Sequence, residues 1–315
     1  MSRRISFNLK KAWKPVAGLV LLAAIALLVV AYGKRTDALP VPITAPHPVA
    51  TTTPVAPNAF MGINLTGQAA IVYDLSNGQT LYSENADRQL PLASLTKLLS
   101  VYAGASAFSP STVITMSASA IAAEGESGLL VGETYSFRDL ARFALVASSN
   151  DAAEAIAEEA AARRGTTMKE ALSGTAASVG LTKTYAVNGS GLDISTSQSG
   201  GYGSARDMAL LAGALLKKSP DLASATTESS VTIYSGTGMA RSLPNTNQGV
   251  VTVPGILLSK TGFTDLAGGN LVVVFDVGIG HPVAVVVLGS TREGRFSDVN
   301  RLIDATHEYF AGASQ

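Results

Sequence analysis

The sequence predicts an α/β domain of the segregated, α+β kind, and three observations point there. Strand-like runs joined by a turn signal open the domain, helix-favouring stretches with capping residues fill its middle, and β-branched runs around a tight turn close it. The 315 residues, 47% hydrophobic and 15% charged, suffice for one folded domain of about 250 residues plus accessory segments. There is no internal repeat.

Residues 1–36 hold seven of the 23 Lys+Arg and none of the 23 Asp+Glu, leaving 16 basic against 23 acidic residues in 37–315, a net −7. That balance argues against nucleic acid as a partner. No charge interrupts 15–33, and as a helix the aliphatic run 16–32 approaches the ~30 Å of a bilayer core. Arg3, Arg4, Lys10, Lys11 and Lys14 precede it and only Lys34 and Arg35 closely follow. The positive-inside rule then predicts an N-terminal transmembrane helix with a cytoplasmic tip (1–36) and the rest of the chain outside the cell membrane, on the periplasmic or cell-wall side. A cleavable signal peptide is the alternative, with Val29 and Ala31 as its small-residue site, although the apolar run exceeds the usual length. Residues 37–60 carry prolines at 40, 42, 46, 48, 54 and 57 and read as an extended linker. A catalytic domain, 61–315, follows.

Within that domain, residues 69–73 and 80–82 are strand-like and Ser76-Asn77-Gly78 suits a hairpin turn. A helix is expected after Leu92, two more over 137–147 and 151–164, the second capped by Ser149 or Asn150, and another over 205–217 before Pro220. Strands over 256–261, 271–277 and 283–288 form an antiparallel region, with residues 278–282 as a turn. An amphipathic helix over 297–310 closes the chain.

No cysteine is present, which excludes disulfides, thiol catalysis and thiolate metal sites. His47, His281 and His307 are scattered over linker, turn and last helix, so neither a histidine triad nor a metal cluster is expected, and no cofactor is called for.

Chemistry enters at Ser94-Leu95-Thr96-Lys97. On a helix, positions i and i+3 share a face, so Lys97 can reach the Ser94 hydroxyl. A serine needs a base, and burial among Leu95, Leu98 and Leu99 favours a neutral lysine able to act as one. Alone, the pattern is equally an N-cap serine and a solvated lysine. Ser148-Ser149-Asn150 at a helix junction adds a hydroxyl and an amide, and Lys260-Thr261-Gly262 at a strand end adds a cation, a hydroxyl and room for a substrate backbone at a sheet edge. Three such patterns in this order are far less probable by accident than any one.

The set S-x-x-K, S-x-N, K-T-G belongs to penicillin-binding proteins and class A β-lactamases. Residues 69–309 resemble the low-molecular-mass D-alanyl-D-alanine carboxypeptidases of peptidase family S11, also through residues 147–153, 188–193, 204–209, 245–247 and 260–268. The resemblance implies a three-layer transpeptidase-like fold, an antiparallel sheet flanked by helices with a helical lobe, and a cleft lined by the motifs. It implies Ser94 as nucleophile, Lys97 as its base, Ser148 as proton relay and Asn150 as a positioning group. Lys260 would add positive potential and help lower the pKa of Lys97. Thr261 would bind the substrate carboxylate, and the backbone N–H groups of Ser94 and Phe263, beside Gly262, would form the oxyanion hole. Arg295 is expected near that carboxylate, with Arg292 the alternative.

The implied partners are peptidoglycan stem peptides and, as covalent inhibitors, β-lactam antibiotics. The family often carries a C-terminal β-rich domain and amphipathic anchor, for which the residues before Gln315 leave no room, and the segment 15–33 is expected to replace the anchor. A D,D-endopeptidase needs the same residues, and a receptor without turnover is the non-enzymatic alternative. A β-lactamase would need a carboxylate for deacylation, for which Glu124 and Glu126 are the candidates.

Overall fold

The computed structural model describes residues 59–125, 127–249 and 252–313. The segment 15–33, most of the linker and Glu126 lie outside the described residues. The described residues fall in one compact unit, Pro54–Gln315. Among them no helix is long and apolar enough to cross a membrane.

Strands β1 (Ala69–Asp74) and β2 (Thr80–Glu84) form the expected hairpin, closed by a Gly78 N–H to Asp74 carbonyl bond of 2.9 Å. After β3 (Leu90–Pro91) the chain makes one 3-10 turn, Ala93–Leu95, and enters α1 (Thr96–Ala107). β4 (Val113–Thr115), α2 (Ala118–Ile121) and β5 (Thr134–Ser136) precede α3 (Phe137–Val146), α4 (Asn150–Arg164) and α5 (Met168–Ser178). β6 (Tyr185–Ala186), β7 (Gly201–Gly203), α6 (Ala205–Lys218), α7 (Pro220–Ala225) and the hairpin β8 (Ser230–Tyr234)–β9 (Ala240–Pro244) follow. The C-terminal part is β10 (Ile256–Thr264), β11 (Gly268–Asp276), β12 (Pro282–Ser290) and α8 (Gly294–Ala313).

Both ends of the domain build one antiparallel sheet in the order β10-β11-β12-β1-β2. Its side chains alternate between two cores, as a pleat requires. Ala69, Ile71, Val272, Val274, Ala284, Val286 and Leu288 face the core shared with α1 and α6. Ala70, Val72, Leu271, Val273, Phe275, Val283, Val285 and Val287 lie under Val299, Leu302 and Ile303 of α8. Helix–sheet–helix is the expected three-layer arrangement, and α1 joins the sheet side to the lobe of α3, α4 and α5.

Several boundaries differ from expectation for identifiable reasons. The helix over 137–147 ends at Val146, because Ser148 adopts a left-handed φ of 60° and breaks the run. Pro220 stops α6 as expected but also starts α7, since a proline at the first helical position lacks only an N–H that would be orphaned anyway. β10 runs three residues beyond the expected Thr261 because β11 pairs with it through Gly268. The two-stranded pair β4–β5 and the hairpin β8–β9 carried no sequence signal strong enough to predict.

Candidate active site

Ser94 sits in the 3-10 turn that leads into α1, and Ala93 before it holds a strained φ of 48°. The turn is wedged against β10: a Cβ on Gly262 would come within 2.9 Å of the Leu92 carbonyl oxygen and 3.3 Å of Ser94 N. Only glycine lets that strand approach the serine backbone so closely. Asn270 on β11 donates to the Pro91 carbonyl at 3.0 Å and fixes the turn from its other end.

Lys97, in the first turn of α1, has no solvent exposure. Its Nζ lies 2.7 Å from Ser94 Oγ, 2.7 Å from Asn150 Oδ1 and 2.9 Å from the Ser190 carbonyl. A neutral amine has two N–H groups and one lone pair. Two acceptors here take the N–H groups, which leaves the lone pair for the Ser94 hydroxyl. Burial lowers the lysine pKa to about 7, while the Glu154 and Asp151 carboxylates pull it upward. The direction is the expected one, and burial is its largest cause. Burial, Lys97 and Arg295 together push Lys260 well below the usual lysine value.

Ser149 caps α4 by accepting the Ala152 N–H at 3.2 Å, and this cap leaves Ser148 and Asn150 turned into the cleft from either side. Ser148 Oγ accepts from Lys260 Nζ at 2.9 Å, and the same amine reaches the Thr261 carbonyl at 2.9 Å. Asn150 Nδ2 donates to the Glu124 carbonyl. Thr261 Oγ1 is 2.6 Å from Thr246 Oγ1. Ser94, Lys97, Ser148, Asn150, Lys260, Thr261 and Gly262 therefore form one connected cluster. Phe263 lines an adjoining cavity of about 400 Å³ with Glu124, Asn150, Leu192 and Asp193.

The two arginines separate. Arg295 is buried and donates from Nη1 to the Gly262 carbonyl at 2.6 Å, so it braces the K-T-G strand. Arg292 is exposed, with its guanidinium 3.8 Å above the Phe263 ring. Of the carboxylates weighed for deacylation, Glu124 is exposed and engaged through its backbone, and Glu126 lies outside the described residues. His281 pairs with Asp74 at 2.8 Å and the His307 ring packs tilted against Phe275, so neither of these described histidines approaches Ser94.

Sequence reasoning missed the supports. Asp193 accepts from Thr264 Oγ1 at 3.1 Å and Leu266 N at 3.2 Å, tying the 188–193 loop to the end of β10. Asp151 accepts a hydrogen bond from Ser127, and Asn245 and Asn247 lock the segment beside β10 to Thr226, Glu228 and Ser259. Their only sequence signal was membership in segments already matched to the family.

Residues 51–292 match the D-alanyl-D-alanine carboxypeptidase family, peptidase family S11. The D-alanyl-D-alanine carboxypeptidase DacF of Bacillus subtilis is 28% identical over 252 residues, covering 75% of this chain and 61% of the relative. The D-alanyl-D-alanine endopeptidase of Pseudomonas aeruginosa is 29% identical over 264 residues, covering 81% of this chain and 83% of the relative. Penicillin-binding protein D2 of Listeria monocytogenes, solved in its ampicillin-bound form, superposes with a TM-score of 0.63 at 29% identity, covering 77% of this chain and 98% of that one. The chain spans about three fifths of the length of several curated relatives, DacF among them. With the three-layer fold and the three motifs converging on one serine, this match means that the chain belongs to the D-alanyl-D-alanine carboxypeptidase family, peptidase family S11.

Proposed function

We propose that this protein is a serine D,D-carboxypeptidase that removes the terminal D-Ala from peptidoglycan pentapeptide stems through an acyl-enzyme on Ser94. The observation that carries the reading is the buried Lys97 amine 2.7 Å from Ser94 Oγ, with acceptors for both of its remaining N–H groups. Lys97 takes the Ser94 proton as Oγ adds to the penultimate D-Ala carbonyl. The backbone N–H groups of Ser94 and Phe263 receive the developing oxyanion, a role supported by the close approach of Gly262 to Ser94 N. Collapse of the tetrahedral adduct breaks the peptide bond, and the leaving amine takes its proton through Ser148, which Lys260 contacts. Water then hydrolyses the ester and returns free Ser94.

Thr261 and Lys260 bind the terminal carboxylate in this reading. Burial and its cationic neighbours depress Lys260, and an incoming carboxylate acts the other way by favouring its protonated form. Arg295 holds the Gly262 carbonyl and thereby the strand edge along which the substrate lies. β-Lactams act as covalent inhibitors at Ser94, a reading supported by the ampicillin-bound relative.

Cleavage of cross-links is the second reading, favoured by the similarity to an endopeptidase over 83% of that relative's length. One experiment separates the two: incubation of the protein with uncross-linked and cross-linked pentapeptide muropeptides, read by mass spectrometry. Loss of one D-Ala supports the carboxypeptidase, bridge cleavage the endopeptidase, and no product from either a receptor. In parallel, a fluorescent penicillin should label Ser94, and the S94A protein should stay unlabelled; a label mapped elsewhere overturns the nucleophile assignment. The protein is further read as a single-pass membrane protein, anchored by residues 15–33 with the catalytic domain outside, on the strength of the apolar run and its flanking charges.

A further inference from the structure

Glu154 belongs to none of the three motifs, yet its carboxylate is buried beside them. Oε1 accepts from Ser190 N at 2.9 Å and Oε2 from Gly189 N at 3.0 Å, so both oxygens are engaged by two successive amides. The Ser190 held in this way supplies, from its following peptide, the carbonyl that accepts from Lys97 Nζ at 2.9 Å. Glu154 lies four residues after Asn150 on α4, and such pairs share a helix face. One face of one helix thus sets both acceptors of the lysine, Asn150 directly and Ser190 through Glu154.

The loop between them has no slack. A Cβ on Gly189 would come within 2.6 Å of the Ala153 carbonyl oxygen and 2.8 Å of Ala157 Cβ, and one on Gly191 would strike the Ala93 carbonyl beside the nucleophile. Ser100 Oγ on α1 donates to the Gly189 carbonyl at 2.7 Å. A shift of the 189–190 peptide is therefore transmitted to the lysine rather than absorbed.

We propose that Glu154 is a positioning residue for acyl transfer: by gripping the amides of Gly189 and Ser190 it aims the Ser190 carbonyl at Lys97, and so the lysine lone pair at Ser94. This rests on the reading of Lys97 as the base. The charged groups facing Lys97 are Glu154 and Asp151 from α4, which favour its ammonium form against burial, and Lys260, whose own proton affinity Lys97 lowers from the β10 side. Losing the Glu154 charge therefore widens the pH range in which the amine is neutral while loosening its aim.

The test is the rate of Ser94 acylation by a chromogenic β-lactam across pH, with the full chain and its E154Q and E154D variants, each checked by circular dichroism and normalised to the titratable fraction. Glutamine offers one acceptor and one NH₂, so one amide meets a donor; aspartate keeps the charge but retracts it by a methylene. E154Q should lose about tenfold or more at the alkaline plateau, the cost of a misaimed reacting group, while its acidic limb moves to lower pH. E154D should lose plateau rate with the limb near its wild-type position. A merely structural carboxylate would leave the limb of the folded fraction unmoved. Wild-type plateau rates in either folded variant overturn the proposal, as does an unmoved limb in E154Q. If E154Q does not fold, the plateau of E154D decides; if neither folds, the carboxylate is a folding element and the positioning role falls. A wild-type protein that is not acylated at Ser94 would instead sink the acyl-enzyme reading itself.

Discussion

At the scale of single residues, the decisive feature is a lysine whose proton inventory is set by its surroundings. Lys97 has a folded-state pKa of about 7 against 10.5 for an unperturbed lysine. Only the neutral amine accepts the Ser94 proton, so acylation should fall as pH drops through about 7, a midpoint readable with a chromogenic β-lactam. The same shift couples to folding. Between about 7 and 10.5 the unfolded chain binds the proton that the folded chain has lost, so this lysine makes stability rise with pH across that window and penalises folding below it. Lys97→Arg, whose guanidinium stays protonated, should lower acylation by roughly 10²–10⁴-fold at every working pH. Near-wild-type rates in that variant would remove Lys97 as the base. Ser94 and Lys97 were legible because i, i+3 spacing and leucine neighbours are local facts. Glu154 was not, because a glutamate in an alanine-rich helix reads as a solvated face until the 188–193 loop is folded onto it.

At the scale of elements, the site is a junction of three short backbone devices: a 3-10 turn, a left-handed Ser148 before a capped helix, and a glycine at a strand edge. The cap at Ser149 and the strand carrying Lys260 could be read from the sequence, since capping and β-branched runs are local preferences. The contact between Gly262 and the Leu92–Leu95 turn could not, as it joins residues far apart in the chain. It yields a sharp expectation. Gly262→Ala places a methyl 2.9 Å from the Leu92 carbonyl oxygen, on rigid backbone with no side chain to yield, so β10 and the serine turn must separate. Acylation should drop about 10²-fold from such a misplacement of the serine and oxyanion donors. Thermal unfolding should move by only a few degrees, because the strand keeps its partner β11. Unchanged acylation kinetics in a folded Gly262→Ala protein would show that the contact has no part in aiming Ser94.

At the scale of the whole molecule, the N-terminal 36 residues carry basic charge only and the remainder is net acidic, a division that suits a chain with its two parts on opposite sides of a membrane. Under the anchored reading, the protein should stay in the pellet after alkaline carbonate washing of membranes. Recovery of a soluble mature form beginning near Tyr32 would establish a cleaved signal instead.

By itself the sequence determined the class of fold, the order of the helical and β segments, the three motifs and the family resemblance, because these depend on local periodicity, capping and residue identity. Tertiary structure decided the rest. It paired β12 with β1, so that sheet segments from both ends of the domain became neighbours, and it brought Asn150 and Ser190 onto Lys97. It also set Arg295 on the Gly262 carbonyl and Arg292 over the Phe263 ring. These outcomes rest on contacts between residues distant in sequence, and on a lysine pKa that follows from burial, which has no value until the chain has packed.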